Sequence, residues 1–233
     1  MKLNKQIKTT MPLAAAMGTL ALTVGSADAA TVLYEDFEDT TLTYSVDNPE
    51  FTDGAWDYWT RTDGTNIQVR ADHQPGTPPS GTFYFGGNDM DSGGTVPSSQ
   101  TFSGLDITGL TDIQFSVYVA QSPGATNNYT LDSAVDFKYQ IDGGGYTSMF
   151  ATSKNASDGG ANIDGTALSD TFAQFTHDIV GTGSTLDIQI TWNLPDSNQS
   201  TFIDDVQVTA VPEPTTTALL GLGGLALILR RRK

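Results

Sequence analysis

Most of the residues in this chain that could do chemistry are acidic. Glu35 lies in the stretch Leu33-Tyr-Glu-Asp-Phe-Glu38, and Asp204 in Phe202-Ile-Asp-Asp-Val-Gln-Val208. If both stretches are strands, Leu33, Glu35 and Phe37 share one face, and so do Phe202, Asp204, Val206 and Val208. That phase turns Glu35 and Asp204 towards the core. A buried carboxylate is costly unless it is paired or bound to a metal. Basic partners are scarce here, so a structural Ca²⁺, which prefers hard oxygen ligands, is the expected partner. The alternative is capping by backbone N–H groups, or water at the strand ends. Gly87-Asn-Asp-Met-Asp-Ser-Gly93 offers a second candidate, because Asp89 and Asp91 form an Asp-x-Asp between glycines. It lacks the spacing and terminal glutamate of an EF-hand, and a plain solvated turn is the competing reading.

Trp56, Tyr58 and Trp59 cluster beside Arg61. Aromatic faces there would stack on sugar rings while Arg61 hydrogen-bonds hydroxyl groups, which makes Trp56, Trp59 and Arg61 candidate glycan contacts. Alternation, however, sends Trp56 and Tyr58 to one face and Trp59 to the other, so at least one of those faces must be core. Catalytic signatures are weak. Two histidines, His73 and His177, are too few for a zinc site. No Gly-x-Ser-x-Gly occurs, and no glycine-rich phosphate loop precedes a helical pattern. Carboxylate pairs suited to a glycoside hydrolase or lyase are expected by chance in so acidic a chain. The expectation is a protein that is not an enzyme.

The elements that must position these residues are strands. Residues 113–119, 135–141 and 186–192 alternate apolar and polar over a period of two, the mark of half-buried strands. Weaker strand signals cover 32–37, 56–60, 66–70, 82–85, 99–102, 146–150, 172–177 and 202–209. Gly/Asn/Asp/Ser clusters separate them, and Asp142-Gly-Gly-Gly145 reads as a hairpin turn. No stretch of the body has a helical period. The expected fold is all-β, a two-sheet antiparallel β-sandwich of the jelly-roll kind, with long loops at 40–55, 121–132 and 153–169.

The two ends differ from this body. Residues 1–29 read as a signal peptide: Lys2, Lys5 and Lys8, an apolar stretch, then Ala27-Asp-Ala29 as a small-x-small cleavage site. Residues 211–233 combine Val211-Pro212-Glu213-Pro214, an apolar run, and Arg230, Arg231, Arg232 and Lys233. Basic residues directly after an apolar run stay on the cytoplasmic side, so the tail is expected to form a transmembrane helix with the body outside. Its run is short for a lasting anchor. Residues 30–210 remain as one domain. Within Ala30–Val211, four basic residues face 25 acidic ones, a formal charge of −21. Such a body repels nucleic acid and anionic lipid. The chain has no cysteine, so neither disulfides nor thiol chemistry is available.

Pro-Glu-Pro, an apolar run and a basic end in that order resemble a PEP-CTERM sorting signal. The resemblance implies recognition by an exosortase, a membrane transpeptidase-like enzyme, in an exopolysaccharide- and biofilm-forming Gram-negative bacterium. It also implies delivery to the cell envelope, the cell surface or the extracellular matrix after a transient inner-membrane stage. The first and last strands of the body resemble, more loosely, those of carbohydrate-binding-module-like jelly rolls. That resemblance implies glycan binding, with exopolysaccharide as the candidate partner, and a structural calcium where the two strands meet. The leading expectation is a non-enzymatic surface or matrix protein; a lectin-like module is the alternative.

Overall fold

The computed structural model describes residues 28–53, 56–67, 74–122, 129–155, 159–197 and 199–213. The expected signal segment up to residue 27, Pro214 and the basic residues Arg230 to Lys233 lie outside them. No described helix is long and apolar enough to cross a membrane.

Among the described residues, strands follow one another with almost no helix. They are β1 (Ala30–Glu35), β2 (Ser45–Val46), β3 (Phe51–Thr52), β4 (Tyr58–Thr62), β5 (Tyr84–Asn88), β6 (Ser98–Asp106) and β7 (Leu110–Gln121). Then come β8 (Ala134–Ile141), β9 (Thr147–Lys154), β10 (Ala161–Ile163), β11 (Thr166–Ala167), β12 (Ala173–Asp178), β13 (Thr185–Asn193) and β14 (Thr201–Pro212). One helical turn, α1 (Met90–Gly93), interrupts the series. The pairing is antiparallel throughout. Sheet A has the order β12-β7-β14-β5-β4-β3, with β1 also on β14; sheet B has the order β11-β10-β9-β8-β13-β6-β2. This is the expected all-β sandwich.

The strongly alternating stretches supply the middle of both sheets for a simple reason. Each has one apolar face to bury and one polar face to expose. Ile113, Phe115, Val117 and Val119 of β7 meet Val135 and Phe137 of β8, and Leu186, Ile188, Ile190 and Trp192 of β13, in one core. Aromatic side chains tie the layers together. Phe85 of sheet A packs at 5.4 Å from Trp59 and 5.5 Å from Trp192 of sheet B. The Trp192 indole donates to Gln100 Oε1 at 3.0 Å, so the buried N–H is satisfied.

Where the structure adds elements, they are short. β2 and β3 lie inside the expected 40–55 loop, and β10 and β11 inside 153–169. Two or three residues carry no readable period, and edge pairing decides them instead. The Asp142 turn forms as expected. Asp142 and Gly143 both have positive φ, 49° and 71°, which matches the twist of a tight hairpin.

Candidate functional site

β1 and β14 are neighbours, with Glu35 opposite Val206 and Ala30 opposite Ala210. They nevertheless do not bring Glu35 and Asp204 together. Asp205 takes a left-handed conformation, φ 48°, and the β14–β7 register shifts between Asp204 and Gln207. This β-bulge inverts the alternation. Ile203, Val206, Val208 and Ala210 line the main core, whereas Phe202 joins a second apolar cluster on the outer side of sheet A. Asp204 follows Phe202 outwards. The expected Glu35–Asp204 cation site is therefore corrected: one carboxylate faces the sandwich interior and the other the outer layer.

Each finds hydrogen-bond donors on its own side. Glu35 is buried and accepts from Phe37 N at 2.8 Å, from Thr43 N at 3.3 Å and from the Thr43 hydroxyl. That is the backbone-capped alternative. Asp204 is wholly buried and accepts from Ser80 N at 3.2 Å and from Asp205 N at 2.8 Å. Burial pushes its carboxyl up to about 8; the Ser80 and Asp205 amides oppose the rise, and the Asp205 and Asp36 charges add to it. Tyr34 completes the patch, donating to Asp205 Oδ1 at 2.8 Å and lying 3.0 Å from Ser80 Oγ.

The same loop is held at a second point. Glu38 Oε1 accepts from Thr82 N at 2.6 Å and from Phe83 N at 2.5 Å. Gly81 has φ +52°, and a Cβ there would meet the Glu38 carboxylate at 2.1 Å, so this turn needs glycine. Arg61 sits 3.7 Å over the Phe83 ring and donates to the carbonyls of Phe37 and Glu38. Its guanidinium is committed to holding the chain, so the structure removes Arg61 as a free sugar contact. Trp59 is removed too. It is wholly buried in the main core, while Tyr58 is buried on the opposite side in the second cluster. Both faces of β4 are covered, so no stacking platform forms there. Trp56 is half-buried, and its carbonyl accepts from Asn88 Nδ2 at 2.6 Å.

Asp89 and Asp91 have company that the sequence did not show. Asp57 hydrogen-bonds both Asp53 and Asp89, and Asp89 hydrogen-bonds Asp91. Burial first, then Asp53 and Asp89, push the Asp57 carboxyl up to about 7; burial also raises Asp89, where Asp57 opposes the rise and Asp91 adds to it. Carboxylates this close share protons or a cation. Their hard oxygens suit Ca²⁺. Among the described residues, however, no three acidic or histidine side chains converge into a ready-made cage.

The outer face of sheet B is different. Register aligns Ser99, Thr191 and Asp136 in one row, Thr101, Gln189 and Lys138 in the next, and Asp187 with Gln140 in a third. The rows are cross-linked. Lys138 Nζ lies 3.0 Å from Thr191 Oγ1 and 3.4 Å from Asp136 Oδ2. Gln140 Nε2 donates to Asp187 Oδ2 at 2.7 Å, and Ser148 Oγ to Asp136 Oδ1 at 2.6 Å. Tyr146 follows the glycine turn and remains 38 % exposed. Its hydroxyl reaches Thr101 and the Asp187 charge; burial, and then that charge, raise its pKa above the ordinary 10.0. A groove of about 350 Å³ opens beside this turn, lined by Gln140, Asp142, Gly145, Thr147 and Val180 among others. Tyr146 reads in the sequence only as the first residue of a weak strand, 146–150, and is not singled out there because one exposed ring at a strand end carries no period. An aromatic residue straight after three glycines, beside strands with polar outer faces, was the available signal.

Residues 210–233 match the PEP-CTERM protein-sorting motif. The chain therefore carries the sorting signal expected of its tail and is an exported protein. No curated protein sequence matches it. Among solved structures, the K3 cleaved adhesin domain of Lys-gingipain from Porphyromonas gingivalis w83 is similar at 17% identity and TM-score 0.47, over 77% of this chain and 98% of that one. The Stig cyclase Fisc from Fischerella sp. TAU is similar at 16% identity and TM-score 0.45, over 80% and 100%. The C-terminal family 22 carbohydrate-binding module of Clostridium thermocellum Xyn10B is similar at 12% identity and TM-score 0.42, over 78% and 93%.

Proposed function

We propose that this exported chain is a non-enzymatic surface or matrix protein whose body docks on a neutral exopolysaccharide through the outer face of sheet B. One observation carries the reading. Among the described residues, the chain covers the outer face of sheet A with its own residues, Ile67 and Phe172 among them, but leaves the rows across β6, β13 and β8 without such a cover apart from the buried Ser99. Those rows offer amide, hydroxyl and carboxylate groups already oriented by one another. Tyr146 adds a ring on which a pyranose can stack. Pre-ordered donors and acceptors lower the cost of binding a hydroxyl-rich chain. The formal charge of −21 over Ala30–Val211 disfavours an anionic polymer. The tail directs delivery: an exosortase-type enzyme is the proposed partner, with the envelope or extracellular matrix as the destination. Domain limits of 1–29, 30–210 and 211–233 go with this reading.

Ca²⁺ belongs to the proposal as a stabiliser rather than a catalyst. Asp89 and Asp91 are the residues that would hold it, with Asp57 beside Asp89. The support is their shared hydrogen bonds and the raised Asp57 and Asp89 carboxyls.

Affinity electrophoresis of the purified full chain through gels cast with polysaccharide tests the docking. Neutral exopolysaccharide from the producing cells retards the chain in a saturable way, and an anionic polymer does not. Equal mobility in all gels would contradict the proposal, and depolymerisation of the polysaccharide would replace it with an enzyme.

A further inference from the structure

The first residues of the sorting motif belong to the folded body. Its matched segment begins at Ala210, and Ala210 is a wholly buried core residue. β14 runs on to Pro212, with Val211 paired to Thr111 and Pro212 to Leu110 at the start of β7. The Thr111 hydroxyl lies 3.3 Å from the Val211 carbonyl. Pro212 has no N–H to give to the ladder, and the next residue takes over. Glu213 N donates to the Gly109 carbonyl at 2.8 Å. That carbonyl is presented by a turn built for the purpose. Asp106 Oδ1 accepts from Thr108 N at 2.9 Å, Leu110 N donates to Ile107 O at 3.1 Å, and Gly109 takes φ +67°. Two of the three residues of Pro-Glu-Pro are thus held in, or directly against, sheet A.

We propose that the β6–β7 turn is a clasp on the sorting motif, so that processing must wait for Val211–Glu213 to peel away from Thr111, Leu110 and Gly109. The inference goes beyond polysaccharide docking and rests only on the proposed processing of the tail. A processing enzyme needs its substrate segment free on both sides, and Val211–Glu213, although Pro212 and Glu213 are exposed, still has the backbone edge that faces β7 taken up. Local opening at a strand end is cheap compared with global unfolding, so the clasp delays processing without preventing it. The core contacts of Ala210 stop the peeling there: Val206, Val208 and Ala210 anchor the strand in the main core. The folded body also has no spacer before the motif and therefore meets the processing partner with the end that carries Ala30, Gly109 and Glu213 foremost.

The test uses the full chain in cells that sort it. Val211→Cys with Thr111→Cys joins the register pair in a chain with no other cysteine, across antiparallel strands where such a bond is feasible. The oxidised pair is expected to keep its tail, and reductant added to the cells to restore processing. Processing of the oxidised pair at the native rate would overturn the clasp. A second variant inserts a flexible Gly/Ser segment between Ala210 and Val211, which frees the motif while leaving β14 anchored. Pulse-chase should show its tail lost roughly tenfold faster, the factor for no longer breaking one or two backbone hydrogen bonds first; an unchanged rate would also overturn the clasp. The native chain run alongside separates the two readings. If it never loses its tail, processing itself is wrong, whereas normal native processing with indifferent variants removes the clasp alone.

Discussion

The outer faces of the two sheets solve opposite problems with the same strand chemistry. On sheet A, Tyr58, Tyr84 and Phe202 point outwards and are buried, sealed by Ile67 and Phe172 into a small second core. The Tyr84 and Phe202 rings meet edge to face at 5.4 Å. On sheet B, the outward positions are Ser99, Thr101, Asp136, Lys138, Gln140, Asp187, Gln189 and Thr191, and no apolar cluster among the described residues seals them. The first face holds the fold together. The second is polar and ordered by its own hydrogen bonds, which suits it to a partner. Residue type alone does not separate structural aromatics from functional ones here. Trp59 looks like a sugar platform in sequence and is core, while Tyr146 looks like an ordinary strand-end residue and is exposed.

The largest expected effect lies on the covered face. Phe202→Ala should cost about 3–5 kcal/mol of stability, read as a lowered denaturant midpoint. A loss below about 1 kcal/mol would mean that the second cluster is not a packed core. Tyr146→Ala should do the reverse. Stability should change by less than about 0.5 kcal/mol, while polysaccharide affinity drops roughly tenfold, the scale of a binding hot spot. If this variant unfolds the chain, or binds as well as the native protein, the contrast between the faces fails.

A third prediction concerns pH and the edge between β1 and β14. Asp204 titrates near 8 in the folded state against an ordinary 3.8. Between those values the folded chain holds a proton that the unfolded chain releases. Its contribution is therefore fully present below 3.8 and is lost as pH rises through about 8. Native stability should fall across that window, and Asp204→Asn should flatten the fall. An unchanged slope in the variant would assign the pH dependence to other groups.

The smallest expected effect is on the carboxylate cluster. Removal of Ca²⁺ with chelator should lower the melting temperature, and added Ca²⁺ should restore it. Asp89→Asn together with Asp91→Asn should abolish that response. A melting temperature indifferent to both treatments would remove calcium from the picture.

How much of this was legible in the sequence depends on whether a residue obeys a period. β7, β8 and β13 could be read because every second side chain is buried. Asp204 could not, because the bulge at Asp205 shifts the phase by one residue and a bulge leaves little trace in composition. Asp57 was invisible as a partner of Asp89, since only the fold brings the loop before β4 next to the one after β5. The tail motif was readable as a string of residues. That its first residues are paired on β7 was not, because Pro212 argues against a strand until the Gly109 carbonyl is found waiting for Glu213.

The contrast between the faces is tested most directly by backbone hydrogen exchange of the full chain, with and without neutral exopolysaccharide from the producing cells. Protection gained along β6, β13 and the turn before β9, with β4 and β5 unchanged, is the predicted footprint. Protection confined to sheet A, or none at saturating polysaccharide, would contradict it.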